Sequence, residues 1–353
     1  MAIAAEASLP LAPPARADAV KLVRAWIFVV AALVVAMVGV GGATRLTGSG
    51  LSITEWKPVT GALPPLSEAA WSAEFEKYRR IPQYELVNKG MTLAEFKTIY
   101  YWEWGHRQLG RALGLAFFLP LAWFWFRGAL SGRLALLLTA VGALGGLQAA
   151  VGWIMVASGL EPGMTAVAPV KLMLHLVIAS VIFACLVWTA TGLGRPSSRA
   201  DGKAARAPLV LLGLVLLQVA LGGLVAGSKA GLSYNTWPLM DGALIPPASS
   251  LFVVTPWIEN FVDNVALVQF NHRMVAYALV ALAVWHAWSE SRRARGTPRA
   301  RRAAALAGLS LGQMALGIVT LVLVVPLWAG LAHQVFAMAV LGTAVAHARL
   351  SRS

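Results

Sequence analysis

Read along the chain, apolar residues gather into eight runs of roughly twenty positions, at 23–42, 104–126, 134–157, 170–191, 209–227, 266–288, 303–325 and 328–348, with polar and charged stretches between them. A helix rises ~1.5 Å per residue, so about twenty residues cross a hydrocarbon core of ~30 Å. The pattern predicts an all-α polytopic membrane protein with eight transmembrane helices. Two longer intervals, 44–101 and 228–265, carry mixed charge, prolines and tryptophans, and too few apolar runs to span. They read as ordered caps on the outer face. Within the first, 68–80 and 93–102 have helix-compatible apolar spacing, which suits either short interfacial helices or a plain solvated loop.

Composition supports the lipid reading: of 353 residues, 58% are hydrophobic and 12% charged, and mean hydropathy is +0.70. A soluble protein of this size is far less apolar. The net charge of +14 would suggest a nucleic-acid partner in a soluble domain, but here its placement encodes topology. Arg127 and Arg133, then Arg195, Arg199, Lys203 and Arg206, then Arg292, Arg293, Arg295, Arg299, Arg301 and Arg302, with Arg349 and Arg352 at the end, occupy alternate connections. The intervening short connections, 159–169 and 326–327, are almost free of basic residues. The basic connections are therefore expected in the cytoplasm, with both termini inside and no nucleic-acid partner. Residues 1–21 are Ala- and Pro-rich without a secretory cleavage pattern and are expected to form a disordered cytoplasmic tail. Cys185, the one cysteine, reads as a small buried apolar residue.

The chain repeats itself. Gly41-Gly42 and Gly50-Leu51-Ser52 return as Gly222-Gly223 and Gly231-Leu232-Ser233 at a constant offset of 181, which also carries Trp56 onto Trp237 and Gly61-Ala62-Leu63 onto Gly242-Ala243-Leu244. A Pro-Pro pair closes each motif. His106-Arg107 then matches His272-Arg273 at 166, Gln148 matches Gln313 at 165, and His175 matches His333 at 158. Each half holds four spans, an even number, so the two copies are expected as parallel four-helix bundles related by a pseudo-two-fold axis along the membrane normal. The halves run 22–194 and 208–353, joined by a cytoplasmic linker at 195–207.

Ionisable residues within a bilayer are costly and point to function. Four of the six histidines occupy equivalent places: His106 and His272 on the second helix of each half, His175 and His333 on the fourth. Counted along the expected spans, all four rings fall ~6 to 10 Å below the outer boundary. Two imidazoles at matched depth on nonadjacent helices suit ligation of one porphyrin iron from both faces, whereas a bare metal would want further ligands close by. Gly110, Gly114, Gly142, Gly145, Gly146 and Gly152 would let a macrocycle, or simply another helix, approach closely. Arg107, Arg111, Arg273 and Lys171 could meet haem propionates, the first three in preference, or snorkel to headgroups. His286 and His347, near the inner helix ends and without counterparts in the first half, read as structural.

The repeats differ at one telling position: Glu103 in Trp102-Glu103-Trp104-Gly105-His106 aligns with Gln269. Glu103 and His106 are i and i+3 on one helix face, so a carboxylate would flank the first site only. That placement suits proton transfer during oxidation of a bound substrate; an interfacial carboxylate facing water or a neighbouring arginine is the alternative.

The duplicated four-helix plan, the stretch Gly-Gly-Ala-Thr-Arg-Leu-Thr-Gly-Ser-Gly-Leu-Ser at 41–52, the Glu-Trp-Gly-His-Arg core at 103–107, and His175, His272 and His333 resemble the haem A synthase family over nearly the whole chain. The resemblance implies an enzyme that oxidises the C8 methyl of haem O to a formyl group by successive hydroxylations, supplying haem A for cytochrome c oxidase. It implies a substrate haem O site at His106 and His175 with Glu103 as the essential acid, and a resident haem b at His272 and His333. It further implies a bacterial inner membrane with haem sites toward the outer side, contact with haem O synthase and oxidase assembly factors, and an unidentified electron donor. Homo-oligomerisation is left open. Outer-loop cysteine pairs found in some bacterial members are absent, placing the chain nearer the proteobacterial and mitochondrial type. A two-haem electron carrier and a haem transporter or chaperone are the rival readings.

Overall fold

The structure, a computed structural model, describes residues 14–194 and 205–352. Among them, eight helices are long and apolar enough to cross a membrane: α1 (Pro14–Leu46), α2 (Leu93–Phe126), α3 (Gly132–Gly159), α4 (Pro169–Gly192), α5 (Arg206–Gly227), α6 (Val265–Arg293), α7 (Pro298–Val322) and α8 (Leu327–Leu350). No strand is formed among the described residues.

Local chemistry sets the helix starts, and it moves two of the expected boundaries. Thr92 and Glu95 form a reciprocal capping box, with Glu95 accepting from the Thr92 backbone N–H at 2.8 Å and Thr92 capping the Glu95 N–H. Segment 93–102, expected within the outer cap, is therefore the first part of α2. At ~1.5 Å per residue, its 34 residues span about 51 Å, well beyond a bilayer core. The first helix begins at Pro14, so 14–21 is helical rather than a disordered tail. An Asp18–Lys21 pair at 3.0 Å supports its first turns, as expected for i, i+3 neighbours of opposite charge. Residues 1–13 and the linker cations Arg195, Arg199 and Lys203 lie outside the described residues.

Within the first half α1 packs on α2 and α4, and α3 on α4; within the second, α5 packs on α6 and α8, and α7 on α8. The halves meet through α4 with α5, α4 with α8, and α1 with α8. Lipid is as apolar as leucine, so these contacts rest on close packing rather than on a hydrophobic drive. A Cβ at Gly227 would lie 2.6 Å from the Pro169 Cα, and one at Gly223 2.9 Å from the Met173 Cα, so α4 and α5 touch backbone to backbone. One difference separates the halves. Helices α6 and α7 run together along much of their length, whereas α2 and α3 meet over a short stretch.

The outer segment of the first half is ordered. Its helix Glu68–Arg79 and the short turn Pro82–Leu86 bury Trp71, Tyr78 and Ile81 against Phe96 and Tyr100 of the α2 extension and against Leu51 and Ile53. Early lengthening of α2 thus gives the cap a wall to pack on. On its surface, Glu55 is held by Lys57 at 2.6 Å and Lys77 at 2.8 Å. Hydrogen bonds from Lys57 and then Lys77 pull its carboxyl down to about 2 from an ordinary 4.5. A depressed carboxyl contributes above its ordinary value and loses that contribution as pH falls toward the folded one. Protection against backbone hydrogen exchange in 57–80, taken relative to the unfolded-chain rate at each pH, is therefore expected to fall between pH 4.5 and 2, modestly because the pair is exposed, and Glu55→Gln should flatten the profile.

Candidate haem-binding site

His175 and His333 each stand six residues past the start of their helices, α4 and α8, and His272 seven past the start of α6. His106 stands thirteen past the start of α2, the excess being the outward extension. The rings of His106 and His175 are near enough to interact electrostatically, as are those of His272 and His333. The fold thus brings the four histidines into the two pairs expected from the repeat.

Each ring rests on a glycine of the neighbouring helix. A Cβ at Gly41 of α1 would lie 3.1 Å from His106 Nε2, and one at Gly152 of α3 would lie 2.8 Å from His175 Cε1. In the second half, Gly222 of α5 and Gly317 of α7 stand in the same relation to His272 and His333, at 3.3 and 2.8 Å. Of the glycines singled out in the sequence for close approach, only Gly152 has this role; Gly41 and Gly222 stand there as markers of the repeat. Gly142 packs on Phe117 and Phe118, Gly110 faces Met37, and Gly114, Gly145 and Gly146 face no atom within 4 Å.

One turn before three of the four glycines lies a glutamine: Gln148 before Gly152, Gln218 before Gly222, Gln313 before Gly317. Positions i and i+4 share a helix face, so amide and glycine meet the same histidine. Gln148 Nε2 donates to the His175 carbonyl at 2.9 Å, Gln218 to that of His272 at 3.0 Å, and Gln313 to that of His333 at 3.0 Å. The Gln218 and Gln313 amides also lie 3.1 and 3.2 Å from the Nδ1 atoms of their histidines. All three amide oxygens are buried without a partner, and so is His175 Nδ1. The sequence reading matched Gln148 to Gln313 without assigning either a role and passed over Gln218; the Gln-x-x-x-Gly recurrence was the signal available.

These features fit haem. An imidazole that ligates metal through one nitrogen needs an acceptor for the N–H of the other; the three amide oxygens are buried and unpartnered, and the Gln218 and Gln313 amides already touch a ring nitrogen through Nε2, so a turn of the amide would present the oxygen. The paired histidines, within electrostatic reach of each other on nonadjacent helices, offer two imidazoles to one iron. No group of three His, Cys, Asp or Glu exists among the described residues, so a bare metal has no ligand cluster there.

Glu103 is buried, with 3% of its surface exposed, and it is engaged at both oxygens. Oε2 accepts from the Ser52 hydroxyl and the Ile53 backbone N–H, both at 2.8 Å, and Oε1 pairs with Arg107 at 2.5 Å. Arg107 also donates to the carbonyls of Ile53 and Glu55. Gln269 builds a neutral version: its oxygen accepts from Arg273 at 2.7 Å and its Nε2 donates to the Ala230 carbonyl at 2.7 Å, while Arg273 reaches the carbonyls of Tyr234 and Leu239. The acid and the amide each match the backbone group they meet, an N–H in one half and a C=O in the other. Arg111 holds the carbonyls of Pro58 and Lys57. Arg107, Arg111 and Arg273 therefore all tether the outer segments, with Arg111 Nη1 and Arg273 Nε left buried and unpartnered.

Residues 24–345 match the COX15-CtaA family model, described as a cytochrome oxidase assembly protein. Over 329 residues the chain is 70% identical to the Heme A synthase of Methylobacterium sp. (strain 4-46), covering 93% of this chain and 91% of the relative. The chain belongs to the haem A synthase family. Its similarity to the Heme A synthase of Methylobacterium nodulans is 67% over 323 residues (91% of this chain, 89% of the relative), and to that of Rhodopseudomonas palustris (strain BisB5) 54% over 327 residues (92% and 90%).

The two histidines that this family member carries outside the repeat bond to one another, with His347 Nδ1 left buried and unpartnered. His286 of α6 and His347 of α8 are buried with their Nε2 atoms 2.9 Å apart. One imidazole donates and the other accepts, joining the two helices. Their structural reading agrees with this contact.

Proposed function

We propose that the chain oxidises the C8 methyl group of haem O to a formyl group by successive hydroxylations, making haem A for cytochrome c oxidase. The observation that carries the reading is the recurrence of a histidine seated on a glycine at four equivalent places, in two pairs, within a chain of the haem A synthase family. His106 and His175 would hold haem O as substrate, and His272 and His333 a resident haem b. Bound haem supplies one-electron chemistry at iron; the protein supplies orientation and electrostatics. Gln148 and Gln313 orient His175 and His333, and Gln218 orients His272. The donors left free on Arg111 and Arg273 suit propionates, whereas Arg107 is committed to Glu103 and to two carbonyls. Glu103 is the acid of the first site, and the donors at its Oε2 are the Ser52 hydroxyl and the Ile53 N–H, both at 2.8 Å.

Under this reading, the protein sits in the bacterial cell membrane with both termini in the cytoplasm, the histidine pairs toward the outer face, and the halves related by a pseudo-two-fold axis. Haem O synthase would supply its substrate, oxidase assembly would consume its product, and a separate donor would supply electrons. The test is to express the chain in a membrane that provides haem O and to separate its extracted haems by chromatography with mass detection. Haem A, or its hydroxylated precursor, beside haem b is expected. Haem b alone would point to an electron carrier, and haem O released unmodified to a transporter.

A further inference from the structure

Each of the four histidine seats has its glycine, and three of the four have a glutamine one turn before it. By the offset of 181 that carries Gly41 onto Gly222, Gln218 corresponds to Met37 of α1. The thioether has no N–H to donate and is a poor acceptor, and its methyl lies toward Gly110, where an added Cβ would meet it at 3.2 Å. His106 is thus the one repeat histidine without an amide beside it. The Gln218 amide, tied through Nε2 to the His272 carbonyl at 3.0 Å, lies 3.1 Å from the ring Nδ1 and keeps an unpartnered oxygen that a turn of the amide presents to a ring N–H; a partner of this kind fixes a ligating imidazole in orientation, and its loss costs about 10–100-fold in metal affinity.

A second contrast points the same way. Helices α2 and α3 touch only briefly, while α6 and α7 pack along their length. Gly105, Gly114, Gly145 and Gly146, which face no atom within 4 Å, become Asn271, Val280, Ser310 and Leu311 in the second half. The second and third helices of the first half are thus more loosely joined than their counterparts, and one histidine of that half lacks its brace. Resting on the reading that the four histidines ligate haem, we propose that Met37 makes His106 a releasable axial ligand, so that the first site exchanges its haem, while Gln218 braces His272 and retains haem in the second. Met37 and Gln218 are positioning residues; they act through the imidazoles. A site that must take in substrate and let go of product needs a ligand of this kind, and a resident-cofactor site needs the opposite.

The test uses full-length protein in detergent, loaded with haem b at both sites and mixed with haem-free myoglobin, with transfer followed in the Soret band. Two phases are expected. Met37→Gln should slow the fast phase by about 10–100-fold and leave the slow one alone, and Gln218→Met should speed the slow phase by about the same factor. Damage to the fold releases haem faster, so slowing by Met37→Gln cannot come from misfolding. Met37→Leu, similar in volume and equally without an amide, should behave as wild type. A slow phase unmoved by Gln218→Met, or a fast phase unmoved by Met37→Gln, overturns the proposal. If His106→Ala and His272→Ala also leave both phases intact, it is the haem-ligand reading that has failed.

Discussion

Substitution of His333 by alanine is expected to leave the protein with at most one haem per chain, and substitution of Gly317 by valine should do nearly the same without touching a ligand. His333 is one of two axial candidates in the second half, and removing it takes away a whole coordinate bond that no nearby side chain can replace, since no third His, Cys, Asp or Glu is grouped there among the described residues. Gly317→Val acts through the ring. Its Cβ alone would lie 2.8 Å from His333 Cε1, inside any tolerable contact, and valine adds two methyls with little rotameric freedom. Overpacking of this kind costs ~1–3 kcal/mol and here would be relieved by turning the imidazole away from its partner. Haem per chain, measured by pyridine haemochrome against protein mass, should fall toward half in both variants. His106→Ala should likewise lose one haem, but its distinguishing result is the disappearance of haem A from the extract. Full haem content in Gly317→Val would mean that the histidine-on-glycine seat does not hold the macrocycle.

Replacing Glu103 by glutamine should abolish most haem A formation, by about a hundredfold or more if it handles a proton, and should also loosen the outer segment. The carboxylate accepts three hydrogen bonds, from Arg107, Ser52 and Ile53. An amide turns one acceptor into an N–H donor facing another donor, the guanidinium on one side or the Ile53 N–H on the other. Leaving a buried donor unmet costs ~1–3 kcal/mol. Hydrogen exchange at the Ile53 amide reads this structural part directly, and the haem products read the chemical part. The reciprocal change, Gln269→Glu, should place a carboxylate against the Ala230 carbonyl now 2.7 Å from Gln269 Nε2, weakening the second cap without conferring oxidation on the second site. If Glu103→Gln keeps full conversion with haem bound normally, Glu103 is not the acid, and its contribution lies in anchoring 52–55 to α2.

The eight spans, the duplication and the equivalence of His106 with His272 and of His175 with His333 are legible in the chain alone, because a bilayer demands unbroken apolar helices and a duplicated unit keeps its spacing. Glu103 also stands out there, as the one acid where the other half has an amide. Other features are contacts between helices distant in sequence. That Leu93–Trp102 continues α2 depended on a capping box and on the aromatic cluster it supports. That Gly41, Gly152, Gly222 and Gly317, rather than Gly110 or Gly145, seat the histidines depended on which helix faces which. The arginines beside the histidines are drawn to the carbonyls of the outer segments because irregular backbone at a membrane surface leaves acceptors that the nearest fixed cation can satisfy. Spacing along a helix tells which residues share a face; only the packing of the bundle decides what that face meets.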